Sequence, residues 1–272
     1  MKALKAIFHF YIHGSIHVAF SVLSLLLMTL HMFHIPFDVP MPAFAFFGTI
    51  TGYNFVKYES LFRNKRHITP EIKAIAIMSS LTLLAAGASF LFLERKTQLV
   101  SLIFFALTLL YTVPFFPKKK NMRNWVGIKI YMVALCWAGI TTLLPLFDAG
   151  IAVSTDVVLK FIQRFLLVII LILIFEIIDS KDDDPELMTV PQKIGVQKTK
   201  WLNLALLLPF FCLEFFKSDI DLKQLGANIT LVIATALFTI FATPNRPKYY
   251  TLFWVESIPI FWLGLVLLVS TF

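Results

Sequence analysis

Three carboxylates leave an apolar stretch on one helical stripe. In the run Ile174–Gly195, IFEIIDSKDDDPELMTVPQKIG, residues Glu176, Asp179 and Asp183 stand at i, i+3 and i+7, with Asp182 beside them. That spacing puts the three on one face of a continuing helix. Packed carboxylates at a low-dielectric boundary repel, so a cation should offset them. Oxygen-rich clusters suit Mg²⁺, which binds through one or two carboxylates together with substrate phosphates. A solvated acidic loop beyond a helix end, held by Lys181, would read the same way.

Two further polar segments follow apolar stretches. Asn54, Lys57 and Tyr58 stand at i, i+3 and i+4, a polar stripe near the end of a hydrophobic helix. An ionisable group in such a position is either a functional residue or a lysine snorkelling to the interface. In Leu110-Tyr111-Thr112-Val113-Pro114-Phe115-Phe116-Pro117, two prolines stop the helix, and Lys118, Lys119 and Lys120 follow at headgroup depth. Alone, that is an ordinary membrane exit.

Other groups carry weaker signals. His9, His13 and His17 recur every four residues, a spacing that can ligate metal but equally serves packing or interfacial hydrogen bonds. Glu214 and Glu256 lie within apolar runs; Glu256 needs a partner that no neighbouring residue supplies. Cys136 and Cys212 are likewise surrounded by apolar residues, and two cysteines make neither a disulfide framework nor a metal site.

These groups need elements to position them, and composition says which. The 272 residues are 58% hydrophobic and 15% charged, with mean hydropathy +0.82, against about 25% charged in a typical soluble domain. Apolar runs near the roughly 20 residues that cross a bilayer recur without the alternation of a lipid-facing barrel. The expected fold is all-α, a polytopic bundle with nine spans near 9–32, 40–60, 73–93, 98–116, 126–147, 157–178, 201–217, 226–243 and 250–271. Links are short, so residues 1–272 form a single integral membrane domain. The first run exceeds a signal-peptide core and shows no cleavage signal, so it is read as a retained span.

Basic residues cluster on alternate links. Lys2 and Lys5 precede the first span; Lys57, Arg63, Lys65, Arg66 and Lys73 surround the end of the second; Lys118, Lys119, Lys120, Arg123 and Lys129 follow the fourth. Lys181, Lys193, Lys198 and Lys200 follow the sixth, and Arg246 and Lys248 the eighth, which covers most of the 24 Lys and Arg. The positive-inside rule makes this face cytoplasmic, with the N-terminus inside and the C-terminus outside, as for a bacterial inner-membrane protein. Topology accounts for most of the net charge of +8, so no nucleic-acid partner is implied. A basic face would also recruit an anionic lipid substrate.

Taken in order on one face, the three polar segments resemble the UbiA-type intramembrane prenyltransferase superfamily. Asp179-Ser180-Lys181-Asp182-Asp183, followed by Thr189-Val190-Pro191-Gln192-Lys193-Ile194-Gly195, looks like the family's Asp-x-x-x-Asp motif and its following Thr-Leu-Pro…Gly stretch. Tyr111-Thr112-Val113-Pro114 with Lys118 and Lys119 looks like its Tyr/Pro/basic turn. Where the family has Asn-Asp-x-x-Asp, this chain has Asn54-Phe55-Val56-Lys57-Tyr58, keeping only the Asn. The resemblance covers essentially the whole chain and implies about nine helices around a central cavity.

The resemblance also implies Mg²⁺ on Asp179, Asp182 and Asp183, and a diphosphate held by Asn54, Lys57, Arg63, Tyr111, Lys118 and Lys119. Lys57, with Arg63 or Lys65, would act as a point charge on the diphosphate in place of one metal ion. Lys57, Asp179 and Asp183 are thus the expected catalytic residues. An isoprenyl group would pass from an isoprenyl diphosphate to a small or lipidic acceptor. The alternatives are a non-catalytic lipid-binding or scaffold relative, and a secondary transporter, whose sites lie at the midplane rather than at one face.

Overall fold

A computed structural model describes residues 2–64, 68–113, 127–184 and 187–271, and these are helical with no strand among them. In chain order they form α1 (Lys2–His13), α2 (Ile16–Met32), α3 (Pro40–Arg63), α4 (Pro70–Phe90), α5 (Arg95–Thr112) and α6 (Ile128–Ala138). A π-helical segment, Gly139–Leu143, joins α6 to α7 (Leu144–Asp148). Then come α8 (Thr155–Asp179), the short α9 (Val190–Ile194), α10 (Val196–Cys212), α11 (Leu222–Phe241) and α12 (Ile258–Thr271), the last entered through a second π segment, Tyr250–Val255.

Local chemistry sets many of these boundaries. Ser154 caps α8, its hydroxyl accepting from Val157 N, and Thr69 does the same for α4 with Ile72 N. Asp221 opens α11 by accepting from Lys223 N. Pro40 and Pro70 sit at the first turns of α3 and α4, where their missing N–H costs nothing.

Among the described residues, six helical stretches are long and apolar enough to cross a membrane, seven if the bent pair α1–α2 counts as one span. The 24-residue α3 and 18-residue α5 are not in that set. The protein is therefore an all-helical integral membrane protein. The first span differs from the uninterrupted helix expected over 9–32, because it bends by 55° between His13 and Ile16. The reason is local. Ser15 takes a left-handed conformation at φ 61°, and at Gly14 a Cβ would stand 2.7 Å from Phe10 O and 2.9 Å from Met78 Cε of α4. Close packing against α4 and a left-handed residue together end α1.

The core lies between α2 and α8. α2 packs on α3 and α12, α8 on α6 and α10, and α11 joins α10 to α12. Trp262, Phe210, Leu25, Leu167 and Ile174 are fully buried in it. Between helices in lipid, this packing works through dispersion and hydrogen bonds rather than hydrophobic burial.

Contacts at the helix ends sort the links into two groups. At one end, His9 of α1 pairs with Glu71 of α4 at 2.6 Å and Lys200 of α10 donates to Ile240 O of α11 at 2.7 Å. At the other, Glu94 N donates to Asp148 at 2.9 Å, before α5 and after α7, and Ser218 N to Asp156 at 3.0 Å, after α10 and in α8.

Candidate functional site

The acidic run sits where α8 ends, in the first of these groups. Asp179 is the last helical residue, and its carbonyl accepts from both Asp182 N, at 2.8 Å, and Asp183 N, at 2.9 Å. The chain thus folds back at once, gathering three aspartates around a helix C-terminus. That is the negative end of the helix dipole, so the cluster opposes the local field as well as itself.

A second set of bonds keeps the turn closed. Glu176, buried on the last turn of α8, accepts from Val190 N at 3.0 Å, which draws the start of α9 back over the helix end. Gln192 accepts from Thr189 N at 2.9 Å and donates to Asp183 O at 3.3 Å and Asp184 O at 3.2 Å. The Thr189-Val190-Pro191-Gln192 stretch is therefore the brace of the acidic turn.

The aspartates differ in what they can still bind. Asp182 is exposed and pairs with Lys248 at 3.0 Å. That hydrogen bond holds the Lys248 ammonium above its ordinary pKa. Asp183 Oδ2 is buried with no hydrogen-bond partner. The half-buried Asp179 carboxylate makes no hydrogen bond among the described residues, and Lys129, at the start of α6, lends positive charge to it and to Glu176.

Among the described residues no three His, Cys, Asp or Glu groups converge on one point. The donor set of Asp179 and Asp183, with one orphaned buried oxygen, still fits an ion that takes one or two carboxylates and completes its shell from phosphate oxygens and water.

The polar stripe on α3 has a different setting. Asn54 donates to Gly14 O at 3.0 Å and to Ser79 Oγ of α4 at 2.9 Å; Lys57 Nζ donates to Ser15 Oγ at 3.0 Å; Tyr58 donates to His13 O at 3.0 Å. Three neighbouring positions on α3 thus meet three consecutive residues at the α1–α2 break, where the end of α1 leaves carbonyls without helical partners. Lys57 remains exposed and keeps two donors.

The other expected site residues are dispersed. Arg63 pairs with Glu59 at 2.7 Å on the exposed end of α3, and Tyr111 is buried at the end of α5. Lys118 and Lys119 lie outside the described residues. No hydrogen bond or ion pair among the described residues joins the aspartates to Asn54, Lys57 or Arg63. A groove of about 380 Å³ does open between α3 and α4, bordered by Asn54, Tyr58, Arg63 and Ser79.

Two groupings escaped the sequence reading. Glu256, at the end of the Tyr250–Val255 π segment, faces Lys57 and Tyr53 electrostatically. Its position sets a residue between the π segment and α12 within electrostatic reach of α3, which no local spacing could reveal. Far from the acidic turn, Lys160, Gln163 and Arg164 of α8 and Glu214 are all at most 1% exposed. Lys160 donates to Gln163 at 2.6 Å, Gln163 to Glu214 at 3.0 Å, and Lys217 bonds Glu214. Arg164 donates to Leu25 O at 2.8 Å and stacks over Trp262 at 5.4 Å. Three polar residues at i, i+3 and i+4 near the start of an apolar run were the available signal.

The three histidines spaced four apart, His9, His13 and His17, are all in contacts. His9 bonds Glu71, its ring lies 4.0 Å from that of His13, and His17 bonds Tyr11 at 2.7 Å and Phe253 O at 3.0 Å. Comparison of the chain with protein-family models, with curated proteins and with solved structures found no match.

Proposed function

We propose that this protein is a UbiA-like intramembrane prenyltransferase with nine spans, taking an isoprenyl diphosphate at the cytoplasmic face and passing its isoprenyl group to a small or lipidic acceptor. One observation carries the reading: the braced turn that gathers Asp179, Asp182 and Asp183 at the end of α8 and leaves Asp183 Oδ2 buried and unbonded. A merely solvated acidic loop would have no use for a brace of Glu176 and Gln192, nor for an orphaned buried oxygen.

Asp179 and Asp183 would hold Mg²⁺, with Asp182 available once it exchanges Lys248 for the ion. Bound there, Mg²⁺ supplies charge neutralisation for the diphosphate as negative charge grows on the leaving oxygen. The chain's own residues do the rest. The two free donors of Lys57 would add fixed positive charge, and Arg63 and Tyr111, together with the Lys118 and Lys119 expected from the sequence, would contact the diphosphate. Buried aromatic and aliphatic walls between the helices would accept the isoprenoid tail and exclude water from an allylic cation.

A non-catalytic lipid-binding relative is the second reading, favoured by the engagement of Asn54, Lys57 and Tyr58 at the α1–α2 break. The two separate in one experiment. Purified protein is incubated with radiolabelled geranylgeranyl diphosphate, Mg²⁺ and a membrane lipid extract, and products are resolved by chromatography. A new labelled lipid that requires Mg²⁺ supports the transferase; unchanged donor across extracts from several sources supports the lipid-binding relative.

A further inference from the structure

α3 and α4 pack closely along their lengths, yet leave a groove of about 380 Å³ between them. Thr51, bonded to Thr82 at 2.9 Å, borders one end, and Arg63, the last residue of α3, borders the other. Twelve residue steps of about 1.5 Å separate the two on α3, or about 18 Å. That is slightly more than one leaflet's half of a roughly 30 Å hydrocarbon core. The groove opens to lipid. On α4, Ser80 and Leu83 border it and are exposed, and Ile77, Leu81 and Leu84 near them are 64%, 62% and 71% exposed, in a helix apolar enough to span.

The walls suit one hydrocarbon chain with a polar head. Phe55, Phe62, Ile75 and Leu83 supply apolar surface. The hydroxyls among them direct their hydrogens into the protein: Ser79 donates to Ile75 O, Ser80 to Ala76 O and Tyr58 to His13 O. Only two bordering residues are charged, Glu59 and Arg63, one turn apart at the same end, and their charges sum to zero. They hold each other through one atom each, Arg63 Nε donating to Glu59 Oε1 at 2.7 Å. Among the described residues, neither Nη group of Arg63 and not Glu59 Oε2 makes a hydrogen bond. A guanidinium edge matches phosphate oxygens, and a free carboxylate oxygen takes an N–H donor. A headgroup that carries a phosphate and an ammonium satisfies both.

We infer that the α3–α4 groove binds a phospholipid with a primary ammonium headgroup, its phosphate on the Nη groups of Arg63, its ammonium on Glu59 Oε2 and one acyl chain against Phe55, Ile75 and Leu83. The pairing sets the selectivity. A trimethylammonium headgroup brings the same charges but no N–H for Glu59, and a headgroup with only negative charge meets Glu59 without an ammonium to offset it. The site lies on the lipid side of the bundle, so it stands whether or not the chain transfers an isoprenyl group. Where both hold, headgroup and diphosphate compete for Arg63.

The test is native mass spectrometry of the full chain in detergent, with dioleoyl phosphatidylethanolamine, phosphatidylcholine and phosphatidylglycerol titrated separately. The acyl chains are identical, so only the headgroup differs. The expected result is one saturable phosphatidylethanolamine adduct, about five- to tenfold tighter than either other lipid. Glu59→Gln should reduce that preference, Arg63→Gln should weaken all three lipids, and Ser80→Phe, which fills the groove from an exposed position, should weaken all three as well. Phosphatidylcholine or phosphatidylglycerol binding as tightly, no saturable adduct, or binding untouched by all three substitutions overturns the site. A dimer that forms only without lipid and is lost in Ser80→Phe would assign the groove to a second copy of the chain instead. The headgroup comparison needs no variant, so a misfolded one leaves it decisive.

Discussion

Lys57 Nζ donates to Ser15 Oγ at 3.0 Å, tying the polar stripe of α3 to the one left-handed residue that breaks the first span. Asn54 and Tyr58 bind the two carbonyls just before it, those of Gly14 and His13. The stripe at the position of the expected first acidic motif is thus a joint that completes the hydrogen bonding of a helix end inside the bundle. Whatever Lys57 does for a ligand, it does from this anchored position.

Removing Asn54 should loosen the joint measurably. Asn54→Ala deletes bonds to both the α1–α2 break and α4, and interhelical hydrogen bonds in membranes average about 0.6 kcal/mol with a maximum near 1.7. A loss of about 1–2 kcal/mol is expected on unfolding in mixed micelles, with Asn54→Ser intermediate. No change in stability would mean that the break is held by packing alone.

Gly139 is a site of close approach. A Cβ there would stand 1.9 Å from Phe104 Cζ, so Gly139→Ala should destabilise by about 1–3 kcal/mol through overpacking of α5 against the π segment. Shortening the neighbour in Gly139→Ala/Phe104→Leu should recover part of that loss. Thermal unfolding of the three variants reads the coupling.

The buried set around Glu214 predicts asymmetry. Glu214→Ala leaves Lys160 and Lys217 without their carboxylate and should cost about 3–5 kcal/mol, whereas Glu214→Met/Lys160→Met removes the fully buried ammonium together with the carboxylate, leaves only Lys217 unpaired, and should be less damaging. A double variant as unstable as the single one would show that the ions hold the helices in a way apolar packing cannot replace.

Much of this was legible in the sequence and some was not. The apolar runs marked the helices because a bilayer imposes length and composition on each one, and the aspartate spacing put Asp179 and Asp183 at one helix end. Hidden were features that depend on contacts distant in sequence. The bend at Ser15 comes with close packing of Gly14 on Met78, and the Glu176–Val190 bond needs the loop already folded. Spacing reveals which residues share a face of one helix, not which helix that face will meet.

Lys248 and Asp182 give a pH and charge prediction. The bond to Asp182 raises the Lys248 pKa in the folded protein, so the stabilisation is fully present below the unfolded lysine value and is lost as pH rises through the higher folded one. Both groups are well exposed, so the effect on stability is small. Its effect on cation binding is larger. Lys248→Gln frees Asp182 and removes a competing positive charge, and should tighten Mg²⁺ binding about two- to tenfold at low salt, read by Mn²⁺ competition.

The central claim is that the turn at the end of α8 binds a diphosphate through a divalent cation. Binding of geranylgeranyl diphosphate to purified protein, with Mg²⁺ and with chelator, compared between wild type and Asp179→Asn/Asp183→Asn, tests it directly. The account predicts binding that requires Mg²⁺ and falls at least about a hundredfold in the double variant. Binding that persists in chelator and ignores both aspartates would contradict it and assign the affinity to the basic face alone.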